Sequence, residues 1–349
     1  MAETTQKKIV KTAAVKKAVV KKAVVKKTPV KKTAPVAVAP VKETPLLKCG
    51  MVTIVGRPNV GKSTLLNAIL EEKVSITSDV PQTTRNQIRG IFTDERGQIV
   101  FIDTPGIHLG GDRLDKYMNR ASIGSIDGVD AVIHLVDASE CTGVEERHVI
   151  NQLKNCGKPI IVGLNKVDVT KGKYIPEYIK LWEDVTGKSM SEMTNLVLFP
   201  LSALRGTNVT KLIDILFDYL PQGPMLYPED AITDLPKQMA MADLIREKLF
   251  RVMREEVPHS IAVIIERVQP KKGNTLHIRA LILVERDSQK EIVIGKGGAI
   301  LKEAGTQARR DLEELVGSKV FLELYVKTKS NWREDHGTLE EMGYLFSDL

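Results

Sequence analysis

Apolar residues are spaced in different ways along the chain. In the first part they form short unbroken runs, "VTIV" from Val52, "IVFID" from Ile99, "PIIVGLN" from Pro159 and "LFPL" from Leu198. Such β-branched runs suit strands buried on both faces, as in a parallel sheet. After the first run, "STLLNAIL" has the three-and-four spacing of a helix with one buried stripe. Beyond residue 223 the pattern changes. "QMAMADLIREKLFRVM" (Gln238–Met253) places Met241, Leu244, Ile245, Leu249 and Val252 on one helical face. "SIAVIIERV" and "TLHIRALILVE" alternate with period two and predict an antiparallel hairpin or meander around "QPKKGN". "EIVIGKGGAILKEAGTQARRDLEELVG" predicts a loop entering a helix, and "KVFLELYVK" a last strand. The expectation is an α/β domain over 49–223 followed by a small α+β domain over 224–349.

Residues 1–48 fit neither period. "KKAVVKKAVVKKTPVKK" (Lys16–Lys32) repeats every five residues, and Pro29, Pro35 and Pro40 interrupt it. Composition explains why the whole-chain charge of +7 misleads. This segment has 13 lysines and two acids, a net +11, which leaves −4 for the rest. A disordered tail is expected, because like charges repel and no aromatic residue anchors it. Such a tail adds affinity for any polyanion by releasing counterions. The plain alternative is a solvated tail without a partner. At 349 residues with 42% hydrophobic content, the remainder can bury ample core. Cys49, Cys141 and Cys156 are odd in number and lack metal-ligand spacing, so a reduced, cytoplasmic setting is expected.

Chemistry concentrates at the ends of the apolar runs. Gly56, Gly61, Lys62 and Ser63 match G-x-x-x-x-G-K-S between a strand and a helix. In that context glycines let backbone N–H groups reach phosphates, the lysine meets the β- and γ-phosphates, and the serine hydroxyl meets Mg²⁺. Asp103 and Gly106 form D-x-x-G, placing a carboxylate for Mg²⁺ and an N–H for the γ-phosphate. Asn165, Lys166 and Asp168 form N-K-x-D. Asp168 can accept from both guanine donors, Lys166 can cover the base, and Asn165 can tie its loop to the phosphate loop. Adenine would leave that carboxylate unpaired, so the choice between bases is steep. "SAL" (Ser202–Leu204) completes the base side. The expected guanine-nucleotide set is Gly56, Arg57, Pro58, Asn59, Val60, Gly61, Lys62, Ser63, Thr64, Asp103, Thr104, Pro105, Gly106, Asn165, Lys166, Asp168, Ser202, Ala203 and Leu204. Between the first two motifs, "SITSDVPQTTRNQIRG" should sense the γ-phosphate. Thr84 is the expected Mg²⁺-side hydroxyl, with Thr83 the alternative. The metal set is therefore Ser63, Thr84 and Asp103.

The second glycine loop, Gly295–Gly298, has no lead-in and no hydroxyl after its lysine, so a nucleotide is not expected there. G-x-x-G before a helix in a small α/β unit resembles a KH module, whose loop clamps about four single-stranded nucleotides. Gly295, Lys296, Gly297 and Gly298 would meet the RNA backbone, with Ile294 and Ile300 lining an apolar groove for bases.

Together, "GRPNVGKSTLLNAIL", "SITSDVPQTTRNQIRGI", "DTPGIH", "NKVD", "SAL" and "ALILVERDSQKEIVIGKGGAILK" resemble the Era family of bacterial GTPases, from Cys49 to Leu349. The resemblance implies a Ras-like P-loop GTPase domain followed by a type II KH domain. It implies a GTP-hydrolysing switch that binds small-subunit ribosomal RNA near its 3′ end and assists assembly of the small ribosomal subunit, with peripheral association at the inner face of the membrane. Two rivals are an RNA-binding module with a structural GTP, and a membrane-surface protein using its lysine-rich arm.

Catalysis should not follow the route of a glutamine after D-x-x-G, because Ile107 and His108 stand there. Lys62 and Thr84 are the expected catalytic groups, joined by Asn59. An apolar residue after D-x-x-G with an asparagine at this loop position resembles potassium-activated GTPases, so Asn59 would supply an oxygen to K⁺. The alternatives are that Asn59 only shapes the loop and that His108 is either essential or a solvated bystander.

Overall fold

The structure is a computed structural model and describes residues 47–78, 80, 82–108, 110–253, 260–271 and 273–344. The lysine-rich tail lies outside the described residues except for Leu47 and Lys48. Those two belong to the first domain: strand β1 runs Lys48–Val55, and the Leu47 carbonyl accepts from the Gly223 N–H at 2.9 Å.

β1 is followed by α1 (Lys62–Leu70), β2 (Ile88–Asp94), β3 (Gly97–Asp103), α2 (Arg113–Gly124), β4 (Ala131–Asp137) and α3 (Val144–Leu153). Next come β5 (Ile160–Asn165), α4 (Val167–Thr170), α5 (Ile175–Thr186), β6 (Leu196–Pro200) and α6 (Val209–Tyr219). The six strands form one sheet in the order β2-β3-β1-β4-β5-β6, parallel except where β2 runs against β3. The unbroken apolar runs are explained by cover on both faces. Leu65, Leu66, Leu212 and Leu216 of α1 and α6 pack on one face with Val52 and Ile133. Val149, Leu153, Tyr178 and Trp182 of α3 and α5 pack on the other with Val132 and Val162. Register aligns Ile54 with Asp103 and Asp137 with Asn165. Polar residues at the carboxyl ends of neighbouring strands thus gather on one edge, where open α/β sheets bind ligands.

The second domain contains α7 (Lys237–Val252), β7 (Ala262–Lys271), β8 (Thr275–Val284), α8 (Asp287–Ile294), α9 (Ala299–Val316), β9 (Lys319–Thr328) and α10 (His336–Glu341). Its sheet has the order β7-β8-β9, with β7 antiparallel and β9 parallel to β8. Ile245 and Leu249 of α7 and Ala304, Ala308 and Leu312 of α9 cover Ile278, Ala280 and Ile282. Two features differ from the sequence expectation. β7 continues through Pro270 to Lys271, at the edge of the sheet where a missing N–H is tolerated. The segment before the glycine loop is a helix, α8, and not a loop. Its β-branched "IVI" hides it, but Gln289 Oε1 accepts from the N–H groups of Glu285 and Arg286 at 2.9 and 3.0 Å and so caps its start.

Candidate functional site

The phosphate loop is held by close packing. A Cβ on Gly56 would sit 2.2 Å from the Leu135 carbonyl oxygen, and one on Gly61, at φ +99°, 2.4 Å from Asn165 Nδ2. Only glycine fits both places. Asn59 adopts φ +61° at the loop's crest. Asn165 ties the loop down as its spacing predicts: Nδ2 donates to the Val60 carbonyl at 2.8 Å, and Oδ1 accepts from the Ala203 N–H at 2.9 Å. Lys62 is buried, and Nζ donates to the carbonyls of Gly56 and Arg57 at 3.2 and 2.8 Å. Burial lowers its pKa to about 8, against the pull of Asp103 and Glu146.

The three expected metal-side groups meet. Ser63 Oγ donates to Asp103 Oδ2 at 2.7 Å and lies 2.8 Å from Thr84 Oγ1. Ser75 Oγ also donates to Asp103 Oδ2, at 2.8 Å. Asp103 is fully buried, its Oδ1 has no hydrogen-bond partner, and burial pushes its carboxyl up. An orphaned buried carboxylate oxygen beside two hydroxyls fits a hard divalent cation such as Mg²⁺. Bound there with a nucleotide, the ion would offset phosphate charge. Thr83 faces elsewhere: its hydroxyl donates to the Val80 carbonyl at 2.6 Å.

A cleft of about 880 Å³ opens over these groups. Pro58, Asn59, Gly61, Lys62, Ser63, Thr64, Thr84, Gly106, Asn165, Lys166, Asp168, Ser202, Ala203 and Leu204 all line it. Gly56, Arg57, Val60, Asp103, Thr104 and Pro105 do not. Val60 and Asp103 are buried beneath, and Thr104 Oγ1 donates to the Ile54 carbonyl at 2.8 Å. Arg57 turns away to the buried Glu146, with Nε to Oε1 at 2.5 Å.

Several participants went unrecognised in the sequence. Lys166 Nζ reaches Asp137 Oδ2 at 2.5 Å. Burial pushes the Asp137 carboxyl up, but the bonds from Lys166 and Ser139 hold it below its ordinary value. Asp137 ends an apolar strand as Asp103 does, which is the signal that could have found it. Phe250, Arg251 and Met253, at the end of α7, also line the cleft. His108 is not a solvated bystander. It is buried, with Nδ1 2.9 Å from the Gly106 carbonyl and Nε2 3.0 Å from Asp115 Oδ1. Ile107 is buried too, and its N–H donates to the Gly56 carbonyl at 3.1 Å.

The second domain grips two segments of the first, the Thr83–Arg85 stretch and the start of α2. Arg246 of α7 donates to the Thr83 carbonyl at 2.8 Å, one residue from Thr84. Arg85 is buried, donates to the Ile261 carbonyl at 2.7 Å, and lies 5.6 Å from the Trp332 ring centre. On the other side, Arg333 reaches Asp112 at 2.5 Å and Asp115 at 3.1 Å. Leu114 and Met118 of α2 pack against Ala262, Ile264 and Leu283 of the small sheet.

The glycine loop of the second domain is open. Gly295, Gly297 and Gly298 have φ of +73°, +61° and +78°, and a Cβ on Gly297 or Gly298 would meet nothing within 4 Å. A groove of about 420 Å³ runs from Gly298 between α9 and β9. Ile294 and Ile300 do not line it, which corrects the expectation for those two. Ile300 packs under Gly295 and onto the core, and the helical turn brings Leu301, Gly305 and Arg309 to the groove instead. Val320, Leu322 and Leu324 supply its apolar wall. Lys296 sits in the loop's short turn.

The family described as "50S ribosome-binding GTPase" matches residues 51–166, and the KH domain family matches residues 256–333. GTPase Era of Halothermothrix orenii is 44% identical over 85% of this chain and 98% of its own length. GTPase Era of Lacticaseibacillus paracasei is 44% identical over 86% of this chain and 98% of its own. Among solved structures, a variant of Aquifex aeolicus Era bound to GDP·AlF4⁻ is similar at TM-score 0.79 and 40% identity, covering 85% of this chain and 99% of that one. Era in complex with MgGDPNP and nucleotides 1506–1542 of 16S ribosomal RNA is similar at TM-score 0.79 and 39% identity, with the same coverage.

Proposed function

The chain belongs to the Era family of GTPases, and from that premise we propose that it couples GTP binding and hydrolysis to capture of the 3′ end of small-subunit ribosomal RNA during assembly of that subunit. The clasp on the switch segment carries the coupling. Arg246 holds the carbonyl of Thr83, and the neighbouring Thr84 hydroxyl meets Ser63 and, through it, Asp103. A change at the γ-phosphate would therefore reach α7 of the KH domain. Phosphate-sensing loops of this kind order and release with nucleotide state. The test is RNA affinity with a non-hydrolysable GTP analogue and with GDP. Arg246→Ala should abolish the difference between the two states while preserving GTP affinity. An undiminished difference in that variant would refute the coupling route.

K⁺ is the proposed second cation. Asn59 lines the cleft at φ +61°, and the buried Ile107 has no side-chain group to orient water. A cation at Asn59 would offset charge growing on the phosphoryl oxygens. KCl should stimulate hydrolysis over NaCl at equal ionic strength, and Asn59→Ala should remove the stimulation. Equal rates in the two salts would end the proposal.

The lysine-rich arm is proposed as a sequence-independent polyanion contact, serving RNA or the inner face of the cell membrane from the cytoplasm. Among the described residues no helix is long and apolar enough to cross a membrane. Deleting residues 1–46, which leaves Leu47 and Lys48 in the first domain, should flatten the salt dependence of RNA binding and reduce flotation with anionic vesicles. An unchanged salt slope rules out the RNA contact, and unchanged flotation the membrane contact.

A further inference from the structure

The KH sheet has a second face. One face, through Ile278, Ala280 and Ile282, packs on α7 and α9. Among the described residues the other is covered at one end only, where Ala262, Ile264 and Leu283 meet Leu114, Met118 and Trp332. Further along, alternation turns Phe321 and Tyr325 of β9 outward, 46% and 42% exposed. Cations lie over both rings. Lys271 Nζ is 4.0 Å from the centre of Phe321, and Arg279 Cζ is 4.3 Å from that of Tyr325. His277 stands 5.2 Å from Phe321 and bonds Glu323 at 2.6 Å, while Arg279 pairs with Glu266 at 3.1 Å. Lys319 and Lys327 extend the same face of β9, so its charge is net positive. Phe321 also lines the groove beside Gly298, so groove and outer face meet over the edge of β9.

Exposed aromatic–cation pairs across strands can simply stabilise a sheet. Two features argue for more. The two rings stand four residues apart on an edge strand, about 13 Å at the usual rise, with solvent-facing surface. Cations interleaved with aromatic platforms are what an unpaired nucleic acid strand needs, since bases stack and phosphates meet charge. An apolar protein patch would gain nothing from the lysines and arginine around it.

We propose that this outer face is a second, sequence-tolerant site for single-stranded RNA. Nucleotides leaving the groove cross the β9 edge and stack on Phe321 and Tyr325, while Lys271 and Arg279 turn to their phosphates. The proposal rests on the KH groove holding RNA, and its test separates the two. The full chain, loaded with a non-hydrolysable GTP analogue, is titrated with a four-nucleotide RNA and with versions lengthened by four nucleotides at either end. One extension should tighten wild-type binding at least roughly tenfold, since each base stacked on an aromatic ring adds affinity. Tyr325→Ala should erase that gain and leave the short RNA unaffected, whereas Tyr325→Phe should keep it. Lys271→Ser, at an exposed position, should also shrink the gain and lower its salt dependence. A full gain in Tyr325→Ala, its loss in Tyr325→Phe, or no gain in wild type overturns the proposal. So does a Tyr325→Ala protein that binds every RNA normally yet is retained less on salt-washed small ribosomal subunits, because the face would then serve a protein. Replacing Lys296 and Gly297 by Asp should weaken the short RNA; if it does not, the groove assignment fails, and the extension data still judge the outer face.

Discussion

The two glycine loops look alike on paper and are built in opposite ways. In the phosphate loop, Gly56 and Gly61 are wedged against the Leu135 carbonyl and the Asn165 amide, and buried Lys62 fills the turn. In the KH loop, Gly297 and Gly298 face open space. A compact polyphosphate needs a closed cradle of fixed N–H groups; a polymer that enters and leaves along its length needs an open clamp. In the first loop glycine is required by packing and backbone angle together; in the second, Gly297 and Gly298 are required by backbone angle alone, and only Gly295 also meets a neighbour, Ile300.

The sharpest way to break that contrast is a single methyl group. Gly56→Ala should abolish measurable GTP binding and destabilise the fold by several kcal/mol, since the clash is with backbone. Gly297→Ala should cost only about 1–2 kcal/mol, for its left-handed φ of +61°, and leave GTP affinity intact. Calorimetric titration and thermal melts of both proteins check this, and comparable damage would erase the distinction. Next in size is the base site. Asp168→Asn turns an acceptor into a donor facing guanine, so GTP affinity should fall roughly 10–100-fold and XTP affinity should rise. Retained GTP affinity with no gain for XTP would remove Asp168 from the base.

A smaller effect should separate the loops by ligand. Replacing Lys296 and Gly297 together by Asp should weaken RNA binding about tenfold or more with near-normal GTP affinity; Lys62→Ala should do the reverse when RNA binding is measured without nucleotide, where the coupling is silent. Equal loss of both ligands from the Lys296/Gly297 change would mean that the domains do not bind separately. The smallest expected effect is on the clasp between domains. Burial works against a charged His108, but its bonds to Asp115 and the Gly106 carbonyl hold the imidazole above its ordinary value. Burial likewise pushes Asp115 up, yet His108 and Arg333 hold it below. The His108 contribution is full below the unfolded imidazole value and lost as pH rises through the raised one. The Asp115 contribution is present above the unfolded carboxylate value and lost as pH falls through the depressed one. Thermal midpoints should therefore peak in the mildly acidic range between them and fall by roughly 1–3 °C toward alkaline pH. His108→Asn should flatten the alkaline side, and a profile unchanged in that variant would take His108 out of the clasp's pH response.

Legibility followed the range of the interactions. The phosphate loop, D-x-x-G, N-K-x-D and "SAL" were readable because each is a local loop at the end of a buried strand, with apolar runs announcing the strands. The choice of Thr84 over Thr83 was only half readable: adjacent hydroxyls look equal until the backbone turns one toward Ser63 and the other toward Val80. Helix α8 was missed because three β-branched residues, Ile292 to Ile294, mask a short helix held mainly by its cap and by Val293 in the core. The groove walls were misassigned to Ile294 and Ile300 because flanking a loop in sequence says nothing about which side of a helix faces out.

The sequence by itself determined the two-domain division, the strand-end placement of the nucleotide groups and the separate character of the two glycine loops, because all three rest on local spacing and backbone geometry. Only the tertiary structure decided that Arg85 and Arg246 clasp the switch, that Asp137 answers Lys166, and that Phe321 and Tyr325 share an exposed face. Each of these joins side chains from separate elements, and sequence periodicity reports which face a residue takes within its own element but not what stands opposite it.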